Sequence, residues 1–230
     1  MKIILFLLLC VPLNASAEIF AAGNYLSELK KVETAKAKRS LEPLYLKAQE
    51  LCDELSDGSA NMKAEDYKSA AARFRGLELG SAEVPGAWIK PDFFHALAVK
   101  KGRKTDIEFF AILRDENHSR SWDIYVTSHT AFLGCSRVGS GAFVKFYGRW
   151  TTFHTKYPEN YSDAAEEALQ KIEDALKQAS CVCGDRDKAL GELELFLKTY
   201  PEILGADELQ DRIDRIKSGT TSIKFECKPS

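Results

Sequence analysis

The sequence predicts a mainly α-helical protein: a helical bundle or a helical-hairpin repeat, with room for a small two-stranded β element. Three observations lead there. Apolar residues recur at spacings of three and four through most of the chain, which is the period of a helix with one buried face. Pro, Gly and capping residues cut that pattern into segments of ordinary helix length. The motif Phe-x-x-x-Tyr-Pro-Glu occurs twice, from Phe153 and from Phe196, each time at the end of such a segment.

The chain opens MKIILFLLLCVPLNASAEIF. Lys2 precedes an apolar run from Ile3 to Leu13, and Ala15 and Ala17 form the small-residue pattern that signal peptidase reads. The run is too short to span a bilayer, so residues 1–17 are expected to be a secretory signal peptide cleaved after Ala17. Cys10 raises a lipoprotein alternative, but Leu9 stands before it, where such signals carry a small residue. Residues 18–230 then suit one compact unit: N-terminal helices over 18–80, a mixed middle segment over 81–142, and repeat-like hairpins with a tail over 143–230. Lys and Arg number 32 against 34 Asp and Glu, without a basic block, so nucleic acid is not an implied partner. No later apolar run approaches about 18 residues, so no membrane span is expected after signal cleavage.

Tyr25, Leu26, Leu29 and Val32 form one stripe within 19–39, and Ser40 and Pro43 interrupt it. A second helix carries Leu44, Ala48, Leu51, Cys52 and Leu55, stopped by Asp57-Gly58. Residues 63–79 repeat the pattern with Tyr67, Ala71, Phe74 and Leu77, and Gly80 is expected to end that helix. Pro85, Gly86 and Pro91 mark residues 81–91 as a linker loop. Asp92 is expected to cap a short helix with Phe93, Phe94 and Leu97, and Thr105 with Glu108 reads as a capping box for the next. That next helix turns Ile107, Phe109, Phe110, Ile112 and Leu113 toward the core. Trp122, Ile124 and Val126 alternate as a strand does, and Ile223, Phe225 and Cys227 in the tail offer a partner.

From Gly141 to Tyr157 runs an aromatic helix whose face carries Phe143, Phe146, Tyr147, Trp150, Phe153 and Tyr157. Pro158 ends it, and Ser162 is expected to cap a helix with Ala165, Leu169, Ile172 and Leu176. Asp185 caps another, with Ala189, Leu193, Phe196 and Tyr200 inward, closed by Pro201. A last helix from about Asp207 to Lys217 turns Leu209, Ile213 and Ile216 inward and stops at Gly219. Each Phe-x-x-x-Tyr-Pro-Glu thus closes a long helix and leads into a second amphipathic one, a helical hairpin written twice. The pair, over residues 141–217, resembles the tetratricopeptide-like helical repeats of exported bacterial proteins. Its period of 43, from Phe153 to Phe196, departs from that family's, and the Trp-Leu-Gly-Tyr signature is absent. The resemblance implies a scaffold that binds a protein or peptide and has no catalytic residues.

Cys52, Cys135, Cys181, Cys183 and Cys227 remain after the leader, and disulfides are the first expectation in an exported chain. Position suggests that Cys227 pairs with Cys181 or Cys183, and Cys52 with Cys135. The Cys-Val-Cys-Gly-Asp stretch at 181–185 also admits a redox pair at a helix start, or a metal site if Cys227 and a His converge on it. His95, His118, His129 and His154 show no paired-ligand spacing. His129, Cys135, Ser136 and Ser140 could build a Cys–His nucleophile, but a loop stapled through Cys135 explains them with less. No catalytic residue, metal ligand or cofactor is assigned. The expected function is non-catalytic binding of another protein in the cell envelope by a periplasmic or secreted adaptor. Alternatives are an immunity or inhibitor protein against an exported toxin or enzyme, and a thiol-dependent envelope enzyme using Cys181 and Cys183.

Overall fold

A computed structural model describes residues 20–58, 73–80, 86–116, 126–127, 135–182 and 185–225. Among them are eight helices: α1 (Phe20–Thr34), α2 (Glu42–Gly58), α3 (Pro91–Lys101), α4 (Lys104–Glu116), α5 (Ala142–Lys156), α6 (Ser162–Gln178), α7 (Arg186–Thr199) and α8 (Ala206–Ser218). Two antiparallel two-stranded sheets accompany them, β1 (Leu77–Leu79) with β2 (Ala87–Ile89) and β3 (Val126–Thr127) with β4 (Cys135–Ser136). The expected mainly α architecture with a small β element is what the chain forms.

The helical stripes read from the sequence are the buried faces. Tyr25, Leu29 and Val32 of α1 and Leu44, Ala48, Leu51 and Leu55 of α2 are buried where the two helices pack together. On α5, Phe143, Phe146, Trp150 and Phe153 are buried, as the aromatic face requires. Their neighbours extend the same cluster: Phe109 stands 5.6 Å from both Trp150 and Phe153 and stacks on Tyr161 at 3.8 Å. A single hydrophobic core runs from α1 to α8.

The two hairpins close alike. Tyr157 and Tyr200 are the C-caps of α5 and α7, at φ −133°, ψ 62° and φ −128°, ψ 67°. The following Pro disfavours helical backbone in the residue before it, so both Tyr leave the helix while their N–H groups still bond Phe153 and Phe196 carbonyls. Each chain then passes through one left-handed residue, Tyr161 or Gly205, before the second helix starts. α5 packs on α7 and α6 on α8, so the first helices of the hairpins lie together and so do the second.

Several local expectations are corrected. Leu77–Leu79 is strand, not the end of a helix, and pairs with Ala87–Ile89, which lies in the expected linker loop. Glu78 opposes Trp88, and the ladder continues through Gly80 N–H to Gly86 carbonyl and Lys90 N–H to Gly76 carbonyl. The rest of the helix expected over 63–79, residues 63–72, lies outside the described residues. Lys90, not Asp92, is the cap residue of α3, because Pro91 takes the first helical position, where its missing N–H costs nothing. Asp106 replaces the expected Thr105–Glu108 box: its carboxylate accepts the Arg103 N–H at 2.6 Å. Glu108 instead pairs with Lys156 across to α5. At α6 the cap position is Tyr161, and the Ser162 hydroxyl bonds Glu166. Asp185 does cap α7, accepting from Lys188 N–H at 2.8 Å.

The tail joins the small sheet by an intermediate. Val126 pairs with Ser136 locally, Ser136 bridges to Val182, and Cys181 bridges to Lys224. Among the described residues, the middle segment thus reaches the tail through a ladder that passes by the turn between the hairpins. Trp122, Ile124 and Cys227 lie outside the described residues.

Candidate functional site

Several helix ends are held by charged side chains of other elements. A helix leaves its first N–H groups without internal partners and carries partial positive charge there, so a carboxylate is favoured at that end. Glu54 of α2 accepts the Ala21 N–H at the start of α1, at 3.0 Å. Asp106 accepts the N–H of Leu41, whose carbonyl begins α2, at 2.9 Å, and the Tyr161 hydroxyl as well. Glu192 of α7 accepts the Gly139 N–H and, at 2.9 Å, that of Phe143 at the start of α5. Glu42 of α2 accepts the Tyr161 N–H at the entrance to α6, and the Asn160 amide reaches its other oxygen. At helix C-termini, Arg212 donates to the carbonyls of Lys177 and Ala179, and Arg186 to those of Ile216 and Lys217. Burial, and then the nearby Arg215 charge, lowers the Arg212 pKa to about 10, which leaves it a cation at neutral pH.

Among the described residues a cleft opens on this framework, with a volume of about 500 Å³. Ser40, Pro43, Leu46, Lys47 and Glu50 line it from α2 and the turn before it. Arg103, just before α4, and Asn160, in the α5–α6 turn, close it from the other side, with Glu42 between. Glu42 is occupied as above, and Lys47 pairs with Glu50 at 2.5 Å on one helix face. Pro43 and the half-exposed Leu46 give the cleft an apolar strip. The cleft is open, a form suited to contact with a surface rather than to enclosing a small molecule.

The sequence-derived candidates fall elsewhere. Cys135 and Cys181 form a disulfide, which corrects the expected Cys52–Cys135 and Cys181–Cys227 pairings. The reason is the ladder just described: the Ser136 N–H donates to the Cys181 carbonyl at 2.9 Å and brings the two cysteines side by side. Cys52 is a buried thiol on α2, and burial, reinforced by the Asp53 charge, pushes its pKa up to about 12. Cys183, Cys227, His118 and His129 lie outside the described residues. The Cys–His nucleophile built on Cys135 is excluded by its disulfide, and Cys181 is engaged by the same bond. The Ser140 hydroxyl accepts from the Ala142 N–H. His95 receives an N–H from Arg114 at 3.0 Å, and His154 stands 3.7 Å from Glu166. Among the described residues no three His, Cys, Asp or Glu come together as a metal site.

The sequence reading passed over the carboxylates that organise the fold. A signal for one existed: Glu192 occupies a position in the apolar stripe of Ala189, Leu193 and Phe196, where an unpartnered charge would be costly. Nothing in the sequence ties Glu42 to Tyr161, 119 positions away.

Fold and cleft together define a mainly α-helical, disulfide-linked protein in which, among the described residues, no helix is long and apolar enough to cross a membrane. A comparison with protein-family models, with curated proteins and with solved structures gives no match to this chain.

Proposed function

We propose that this is an exported, non-catalytic binding protein of the cell envelope, whose open cleft beside α2 receives part of another protein. The observation that carries the reading is the disposition of charge. The buried carboxylates Asp106 and Glu192 serve backbone N–H groups, while the cleft presents an apolar strip rimmed by ionised side chains. An apolar centre within a polar rim is the usual make-up of a protein-binding surface. The leader-like first residues and the Cys135–Cys181 disulfide support a periplasmic or secreted location, since disulfides persist in oxidising compartments. The hairpin pair, with its resemblance to tetratricopeptide-like repeats, supports an adaptor.

Affinity capture from the periplasmic fraction tests this. The intact protein and its Leu46→Asp variant serve as baits, with unchanged melting temperatures as the check on folding. A partner held by the native bait and lost by the variant is the expected result. A partner held equally by both would place the binding surface elsewhere and overturn the assignment to the cleft.

A further inference from the structure

We infer that the cleft recognises a protein segment presenting a carboxylate beside an apolar side chain, with Arg103 as the carboxylate's partner. This rests on the binding reading above and adds the chemistry of the partner. Four ionised side chains line the cleft. Glu42 is held by the Tyr161 N–H and the Asn160 amide. Lys47 and Glu50 neutralise one another at 2.5 and 2.7 Å. Arg103 differs: its backbone N–H serves Asp106, but its exposed guanidinium has no partner among the described residues. Lys104 follows it, largely exposed and 3.9 Å from Glu108, so Arg103 is the cation in the cleft lining that has no ion-pair partner among the described residues.

A guanidinium offers a planar fork of donors that fits both oxygens of a carboxylate, and it loses less hydration than an ammonium in doing so. Pro43 and Leu46 lie in the same cleft, and their apolar surface remains open to solvent on the Leu46 side. Covering it is favourable in proportion to the apolar area removed from water. A segment that places an aliphatic side chain on the strip and an acidic one at Arg103 satisfies both features. A neutral apolar segment leaves the guanidinium unpaired, and an acidic polar one leaves the strip wet.

The test uses the full-length secreted protein and three fluorescein-labelled octapeptides, built from alternating Glu and Leu, Gln and Leu, or Glu and Ser, with binding read by anisotropy at low salt. The Glu–Leu peptide should bind most tightly. Arg103→Gln should weaken it by roughly two- to fivefold, the scale of one exposed ion pair with good geometry. Lys198→Gln, on exposed α7 surface, should leave it unchanged. Equal binding of the Gln–Leu or Glu–Ser peptide, or an unchanged affinity in Arg103→Gln, overturns the inference. If Arg103→Gln still captures the partner that Leu46→Asp loses, the cleft stands as the binding site and the carboxylate requirement alone fails.

Discussion

Tyr161 carries much of the junction between the two halves of the chain. It is the one non-glycine residue among those described with positive φ, at 53°, a conformation unfavourable for a side chain with a Cβ by roughly 1 kcal/mol. Its ring stacks on Phe109, its hydroxyl bonds Asp106 and its N–H bonds Glu42, so α2, α4 and α6 together hold it there. His95 is a second informative residue. Burial lowers its pKa, the Arg114 charge lowers it further, and Asp115 and Asp92 offset only part of this. The folded pKa thus lies below the ordinary value of about 6.5, so the neutral ring's contribution is complete above that pH and is lost as pH falls through the folded pKa. An NMR titration should place the His95 midpoint below 6.5, and Arg114→Gln should move it upward; a wild-type midpoint at or above 6.5 would contradict the geometry. Gly148 gives a third test. A Cβ there would stand 2.5 Å from the Tyr200 hydroxyl but 3.8 Å from the ring carbon that bears it. Gly148→Ala should destabilise the native chain. In a Tyr200→Phe background the same change should stabilise by about 1 kcal/mol, the helix preference for Ala over Gly. Equal effects in both backgrounds would remove the proposed clash.

Among the elements, α5 packs against three other helices, α4, α6 and α7. Trp150 is fully buried and donates its indole N–H to Glu116 at 3.1 Å. Trp150→Ala should cost about 3–5 kcal/mol in a denaturant melt; a loss below about 1 kcal/mol would mean the aromatic face is not the packed centre. This helix was legible from sequence because six aromatics at helical spacing leave few other readings. The paired hairpin ends were legible for the same kind of local reason, since Tyr-Pro stops a helix wherever it falls. The three-residue strands β1 and β2 were not. Leu77 continues a helical stripe from Phe74, and only pairing with Ala87–Ile89 decides otherwise. Caps showed the same division: Asp185 acts on its own helix, while Glu54, Glu42 and Glu192 act across the fold, where sequence spacing carries no information.

At the scale of the whole molecule, the Cys135–Cys181 bond fastens the β3–β4 sheet of the middle segment to the turn between the hairpins, where the tail also pairs. It spans a separation of 46 residues, for which loop closure gives about 4 kcal/mol. Reduction should lower stability by up to that amount, measured by melts with and without dithiothreitol. Non-reducing peptide mapping should recover the Cys135–Cys181 peptide. The same map should show Cys183 bonded to Cys227, which stand two and three positions along the chain from the bridged Cys181 and Lys224. A Cys181–Cys183 bond would contradict both. The connectivity was hidden because chain separation does not discriminate: Cys135 and Cys227 both lie 46 positions from Cys181, and the ladder through Ser136 chose Cys135.

The central claim is that the cleft beside α2 is where another protein docks. A photo-crosslinking amino acid placed at position 46 and, as a control, at position 198 tests it in living cells. Irradiation should give a discrete higher-mass adduct from position 46 and none from position 198, and Arg103→Gln should reduce its yield. Absence of any adduct at 46, or the same adduct from both positions, would contradict the claim.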